Sequence, residues 1–424
     1  MISGADWNYP FTFGLCLVFI LLVPFAIAGL ALINTGLGRS RSAAQAMTSS
    51  LCLIGISALV YFVCGFKVQG YKFQPEFVGP LYHNLLSQPG LFFLGLGPGF
   101  ASLAALLGVF SVALASLIPL GAASDRWRLS AACASTIVLA GCTYPTFARL
   151  AWQGLLAALG TKSGLGSGFI DAGGSGVIQV TGGLTALSLA WLLGPRLGKY
   201  SSSGMPTAIP AHNGVYVLFG CMLTWMGWLG LNSAGAILYA GLPPEKSVLV
   251  AINTTFSAAA AALTAAAITR IRFRKPDASL IANGWMAGLV ASSAGCATLK
   301  PATAILTGLV AGALVIFAIE WLEFGLKVDD PCGSISVHAV CGIWGLLAAG
   351  IFSGDPGQFI AQLVGVATLL GLILPMTYSL NWLLGRIIPH RVSADGERQG
   401  LDLHELGADA YPEFVVHADE FMQR

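Results

Sequence analysis

The stretch FTFGLCLVFILLVPFAIAGLALIN, from Phe11 to Asn34, contains no charged residue. Wound as a helix at about 1.5 Å per residue, it spans the roughly 30 Å of a bilayer's hydrocarbon core. A backbone in lipid must satisfy its own hydrogen bonds, which a helix does within one segment. Working outward, the same kind of segment recurs along the chain. Eleven spans are predicted, at about 11–34, 44–66, 100–123, 128–148, 172–194, 213–236, 246–269, 278–298, 301–323, 334–353 and 358–388. Asp125–Arg128 separates the third and fourth spans by only a tight hairpin.

The totals agree with that reading. Only 9% of the residues are charged and 56% are hydrophobic, whereas soluble domains carry roughly 25% charged residues. A transmembrane barrel would show segments of about ten residues alternating apolar with polar, and these segments do not alternate. The 53 glycines suit a bundle in which small residues let helix backbones approach. A net charge of +2 gives no case for nucleic acid. The cysteines lie mostly inside apolar segments without zinc or redox spacing, and are expected to pack as small hydrophobes. The amino terminus has no positive region ahead of its first apolar stretch, so no cleavable signal peptide is expected. Of the 21 Lys and Arg residues, fifteen sort to one face of this topology, including Arg39, Arg126, Arg196, Arg270 and Arg391. The positive-inside rule makes that face cytoplasmic. The amino terminus is then outside and the tail from about 389 is cytoplasmic.

Two short stretches mark a site. DAGGSGVIQVTGG runs from Asp171 to Gly183, and DPCGSISVHAVCG from Asp330 to Gly342. Each begins with aspartate, places a polar residue eight positions on (Gln179, His338), and puts glycine four beyond that. The first opens the fifth predicted span from outside, and the second opens the tenth from inside. That is the signature of an inverted repeat, with the site near the midplane between halves. Eight helical residues put Gln179 and His338 roughly 12 Å below their aspartates, where a polar side chain is costly unless it faces the bundle interior. A plain helix–helix hydrogen bond would also explain both residues. Asp171 and Asp330 are expected to cap the first turns of their helices.

These motifs resemble the ammonium transporter family (Amt, Mep and Rh proteins) over nearly the whole chain. HAVCGIWG around His338 resembles the family's second pore-histidine segment. PAHN at Pro210–Asn213 and GWLGLNSAG at Gly227–Gly235 resemble its sixth span, and QGLDLHELGADAY at Gln399–Tyr411 its carboxyl-terminal regulatory segment. The resemblance implies an all-α polytopic membrane protein with eleven transmembrane helices. These form two inverted five-helix repeats, about 11–194 and 213–353, plus a long final helix, 358–388. A cytoplasmic tail follows at 389–424. It further implies a homotrimer in the plasma (inner) membrane with one pore per subunit, and a PII-type nitrogen-regulatory protein as partner at the cytoplasmic face.

For the site, the resemblance implies recruitment of ammonium in an external vestibule near Trp152 and Asp171, helped by cation–π attraction. A gate at Phe110 follows, and below it a narrow apolar pore lined at Gln179 and His338. Trp152 also suits an interfacial belt, and Phe110 an ordinary core. Three positions depart from the family's pattern: Gln179 stands where the first pore histidine belongs, Leu231 where a second gate phenylalanine belongs, and Gly235 at a vestibule position that is serine in many members. A glutamine amide does not titrate, so a relay through both pore residues is not expected. Gly400, Leu401, Asp402 and Tyr411 fall in the tail segment expected to pack beneath neighbouring subunits. No cofactor or metal site is expected, and no enzymatic chemistry. The functional expectation is an ammonium or ammonia transporter; the alternatives are a sensor of the same fold that conducts little, or a carrier of small amines.

Overall fold

The computed structural model describes residues 9–70 and 90–411, so Lys72, His83, His417 and Arg424 lie outside the described residues. Those residues are helical, with no strand among them. Among the described residues nine helices are long and apolar enough to cross a membrane: α1 (Pro10–Leu37), α2 (Ser40–Gln69), α3 (Phe100–Ala122), α4 (Leu129–Gln153), α5 (Ser175–Leu193), α6 (Gly214–Ala240), α7 (Pro244–Phe273), α9 (Pro301–Gly325) and α11 (Pro356–Ile387). Two shorter helices, α8 (Ala278–Ser293) and α10 (Ile335–Ile351), fall where the eighth and tenth spans were expected. Sixteen residues in α8 reach only about 24 Å. The chain is a multi-pass membrane protein, and its outer surface is apolar, with Val215, Leu263 and Ile271 each at least 70% exposed.

Glycine governs how closely these helices pack. α1 lies along α6, and a Cβ added at Gly29 would sit 2.5 Å from the Gly220 carbonyl oxygen. On α9, a side chain at Gly308 or Gly312 would collide with the carbonyl oxygens of Ser257 and Ala261 on α7. Without a hydrophobic drive between helices in lipid, such contact is what dispersion and backbone polarity need. The sequence therefore spends its glycines on interfaces.

The α3–α4 hairpin turns at Asp125, whose φ of +68° is left-handed. It carries Arg126, which is 0% exposed, and the nearby Arg196 is 5% exposed. Arg196 reaches Asp329 through Nε (2.9 Å) and Nη2 (3.1 Å), and Asp125 through Nη1 (2.9 Å). Arg126 donates to the carbonyls of Gly194 (2.8 Å) and Asp329 (2.9 Å). Burial pushes the Asp329 carboxyl up, but Arg196 and Arg126 outweigh it and hold it below the usual carboxylate range. In the sequence both arginines fall on the arginine-rich face. There they form a buried clasp joining the end of α5 to the start of α10, neutralised by Asp125 and Asp329 as buried ions must be.

The tail runs across this same face. Asp402 accepts from the amides of Ala44 (3.1 Å) and Gln45 (2.7 Å) in α2, while Glu405 accepts from Leu129 (2.8 Å) at the start of α4. These are orphan donors of helix amino termini, and a carboxylate suits them by hydrogen bond and dipole. Glu397 pairs with Arg391 (2.7 Å) and accepts from the Leu197 amide (2.6 Å). Gly400 has a φ of +103°, with Leu401 buried beside it. A Cβ at Gly400 would lie 2.5 Å from the Arg41 carbonyl oxygen. Tyr411 Oη lies 3.3 Å from His212 Nε2. The described part of the tail thus packs beneath this chain's own helices.

Candidate pore site

The two sequence repeats build matching corners. Asp171 accepts through Oδ2 from the amides of Gly176 (3.0 Å) and Val177 (2.8 Å). Asp330 accepts from Ser334 (2.9 Å) and Ile335 (2.7 Å). Three residues after each aspartate stands a left-handed glycine, Gly174 at φ +82° and Gly333 at φ +69°. These glycines turn the chain so the carboxylate can face the first amides of the helix it precedes. Both aspartates therefore cap, as their spacing predicts.

Beyond each cap the helix opens with a π-helical turn, Ser175–Val180 and Ile335–Val340. Such turns widen the backbone and often mark functional positions. Gln179 and His338 sit within them, 0% and 2% exposed. His338 Nδ1 lies 2.7 Å from Gln179 Oε1. With the amide in that orientation, Nδ1–H donates, and the imidazole keeps its lone pair on Nε2. The glycines at the end of each motif explain how the helices come so close. A Cβ at Gly183 would collide with the Ala339 amide, and one at Gly342 would lie 2.7 Å from Val180 Cγ2. Gln179 Nε2 is buried without a protein partner. A buried donor left unmet costs about 1–3 kcal/mol, so this amide presents an unused N–H in the middle of the bundle.

On the side of the molecule away from the tail, Trp152 Nε1 donates to the Asp171 carbonyl at 2.8 Å. Its ring stacks on Tyr239, with centroids 3.8 Å apart and planes 7° off parallel. One aromatic face is therefore already covered, and only the other can meet a cation. Asp171 Oδ1 is buried without a protein partner. Phe110 is half-buried on α3, and Leu231 is 1% exposed on α6.

Gly235 has no open space beside it: a Cβ there would collide with the Ala172 carbonyl oxygen. The missing side chain is filled by backbone, because the turn after Asp171 presses directly onto α6. No sequence signal pointed to Asn34, whose Oδ1 is buried and unmet within α1. Among the described residues no three His, Cys, Asp or Glu side chains group as a metal site.

A multi-pass helical bundle holding a buried amide–imidazole pair where two capped helices cross is a membrane pore or carrier. The Ammonium Transporter Family model matches residues 14–411. The Amt2 ammonium transporter of Archaeoglobus fulgidus is 33% identical across 99% of this chain and 94% of its own length. The Amt2 ammonium transporter of Haloferax mediterranei is 31% identical across 95% of this chain and 91% of its own. A solved structure described as a sensor Amt protein superposes with a TM-score of 0.83 at 27% identity, covering 93% of this chain and 98% of that one. Candida albicans Mep2, at 21% identity, shares the fold with a TM-score of 0.78 over 98% of this chain and 94% of its own. The chain belongs to the ammonium transporter family.

Proposed function

We propose that this chain carries ammonium, or ammonia derived from it, through a pore that passes Gln179 and His338. The observation that carries the reading is the buried hydrogen bond between those two side chains, with one unused amide donor beside it. The free Gln179 N–H suits the lone pair of ammonia, and the free Nε2 of His338 accepts an N–H in return. Moving an intact cation through so apolar a space would be expensive. Residue 179 cannot accept a proton at any relevant pH, so a proton passing this point uses His338 or water. On the far side, Trp152 offers its uncovered face and Asp171 its unmet oxygen to an arriving cation, ahead of Phe110 and Leu231.

The matching caps, left-handed glycines and crossing glycines of α5 and α10 support eleven spans arranged as two inverted halves, about 11–194 and 213–353. α11 closes this transmembrane domain of residues 1–388, and the tail 389–424 follows. The arginine-rich face supports a cytoplasmic tail and an outside amino terminus in the cell membrane. A homotrimer with a PII-type regulator at the tail face completes the reading; Gly400, Leu401, Asp402 and Tyr411 would position the tail there.

The test is a current recorded from proteoliposomes on a supported membrane after an ammonium jump, beside Gln179→His and His338→Ala. A saturable wild-type current lost in His338→Ala is expected. The structural neighbour described as a sensor Amt protein motivates a second reading, a receptor with little conduction. Saturable ammonium binding with neither current nor ammonia flux in the wild type would replace transport by that reading.

A further inference from the structure

On the tail side of His338, two cavities meet at one side chain. The first is lined by His338, Ser334, Asn283, Met286, Cys332 and Asn34, among others. The second is lined by Asn34, Gln45, Ser124, Asp125, Trp127 and the tail residue Leu401, among others. Asn34 belongs to both, and it is 2% exposed. Its Nδ2 donates to the Leu117 carbonyl at 3.0 Å, which fixes the direction of the amide. Its Oδ1 is buried and has no protein partner.

A helix as apolar as α1 gains nothing by carrying this amide unless something meets it. The neighbouring Thr35 is accounted for locally, since its hydroxyl returns to the Ala31 carbonyl at 2.8 Å. Asn34 reaches outward instead, and α3 makes room for it at Gly121, where a Cβ would lie 2.5 Å from Oδ1. Buried acceptors find a protein group, a water or a ligand. Here the first cavity sets Asn34 among His338, Ser334 and Asn283, and the second sets it among Ser124 and Asp125.

We propose that Asn34 Oδ1 is an inner binding position for the permeating solute, an acceptor that takes an N–H between the His338 cavity and the cavity beneath Leu401. The inference rests on the transport reading and names a further residue for it. Ammonium offers four N–H donors and no acceptor, and an unmet amide oxygen suits that chemistry; the Asp125 carboxylate lining the second cavity is already paired with Arg196. An ordered water is the competing occupant.

The experiment uses the full chain in proteoliposomes sorted by orientation, so that ammonium half-saturation is read from each face. Asn34→Leu keeps the branching at Cγ and removes the acceptor together with the Nδ2 bond to Leu117, while Asn34→Asp keeps the shape and adds charge. Asn34→Leu is expected to raise half-saturation from the tail face about tenfold, as for one lost hydrogen bond to a cation, and to leave the opposite face unchanged. Asn34→Asp is expected to lower it on the tail face, a shift that a purely structural role would not produce. Equal tail-face values for all three proteins would assign the oxygen to water and overturn the proposal. Ammonium-dependent rise in unfolding temperature gives a readout without flux. If the wild type carries no flux, the transport reading fails alone when that rise is present in the wild type and reduced in Asn34→Leu. An equal rise in both, or none in either, overturns the inner position as well.

Discussion

Replacing Gln179 by leucine removes both ends of its amide at once. Leucine has nearly the same volume, so the crossing of α5 and α10 at Gly183 and Gly342 is left intact. The substitution removes Oε1, the 2.7 Å partner of His338 Nδ1, and with it Nε2, the buried donor without a protein partner. For stability these losses oppose one another. Stranding an imidazole N–H costs about 1–3 kcal/mol, while deleting an already unmet donor returns a similar amount. The folded protein should therefore change by less than about 2 kcal/mol. Conduction has no such compensation, because the solute loses a hydrogen bond it makes only at this point. One bond of about 1–3 kcal/mol corresponds to a roughly 5- to 150-fold fall in ammonia flux. Stopped-flow fluorescence with a pH dye inside proteoliposomes measures that flux, and thermal unfolding in detergent measures the stability. Wild-type flux from a well-folded Gln179→Leu would refute the reasoning, since neither end of the amide would then touch the solute.

Further predictions concern the frame around the pore. Asp329→Asn strips Arg196 of its main partner, and breaking such a buried pair costs about 3–5 kcal/mol at neutral pH, read by denaturant unfolding. Because the folded carboxyl of Asp329 is held below its ordinary value, its contribution is complete above about pH 4 and fades as pH falls through the lower folded value. The gap between wild type and variant should therefore narrow in acid, and a gap constant down to pH 2 would contradict the clasp. Gly235→Ser should destabilise by about 1–3 kcal/mol, as overpacking does, because the Ala172 carbonyl must move; an unchanged melting temperature would show the vestibule wall is open there. Asp402→Ala removes the acceptor of the Ala44 and Gln45 amides and should cost about 0.5–2 kcal/mol, as lost helix caps do. Faster proteolysis of the tail should accompany it, and protease resistance equal to wild type would count against the strap.

Much of this protein is legible in one dimension because lipid imposes a local rule. A helix in a bilayer satisfies its backbone within itself, so each long apolar stretch announces its own span, as Phe11–Asn34 does. The two repeats are equally local, since an aspartate reaches amides four to six residues ahead and a glycine turns left-handed where it stands. That is why the caps at Asp171 and Asp330 follow from spacing, and why Gln179 and His338 stand out as polar residues at matching depth. Tertiary structure alone decides which atoms meet across the bundle. It joins His338 Nδ1 to an oxygen 159 positions away and leaves Gln179 Nε2 free. It buries Arg126 and Arg196 and pairs Arg196 with aspartates from distant turns. It fills the gap at Gly235 with a carbonyl and covers one face of Trp152 with Tyr239. It also turns Asn34, one polar letter in an apolar run, toward two cavities. Burial, pairing and the direction of an amide depend on neighbours that the chain order does not place side by side.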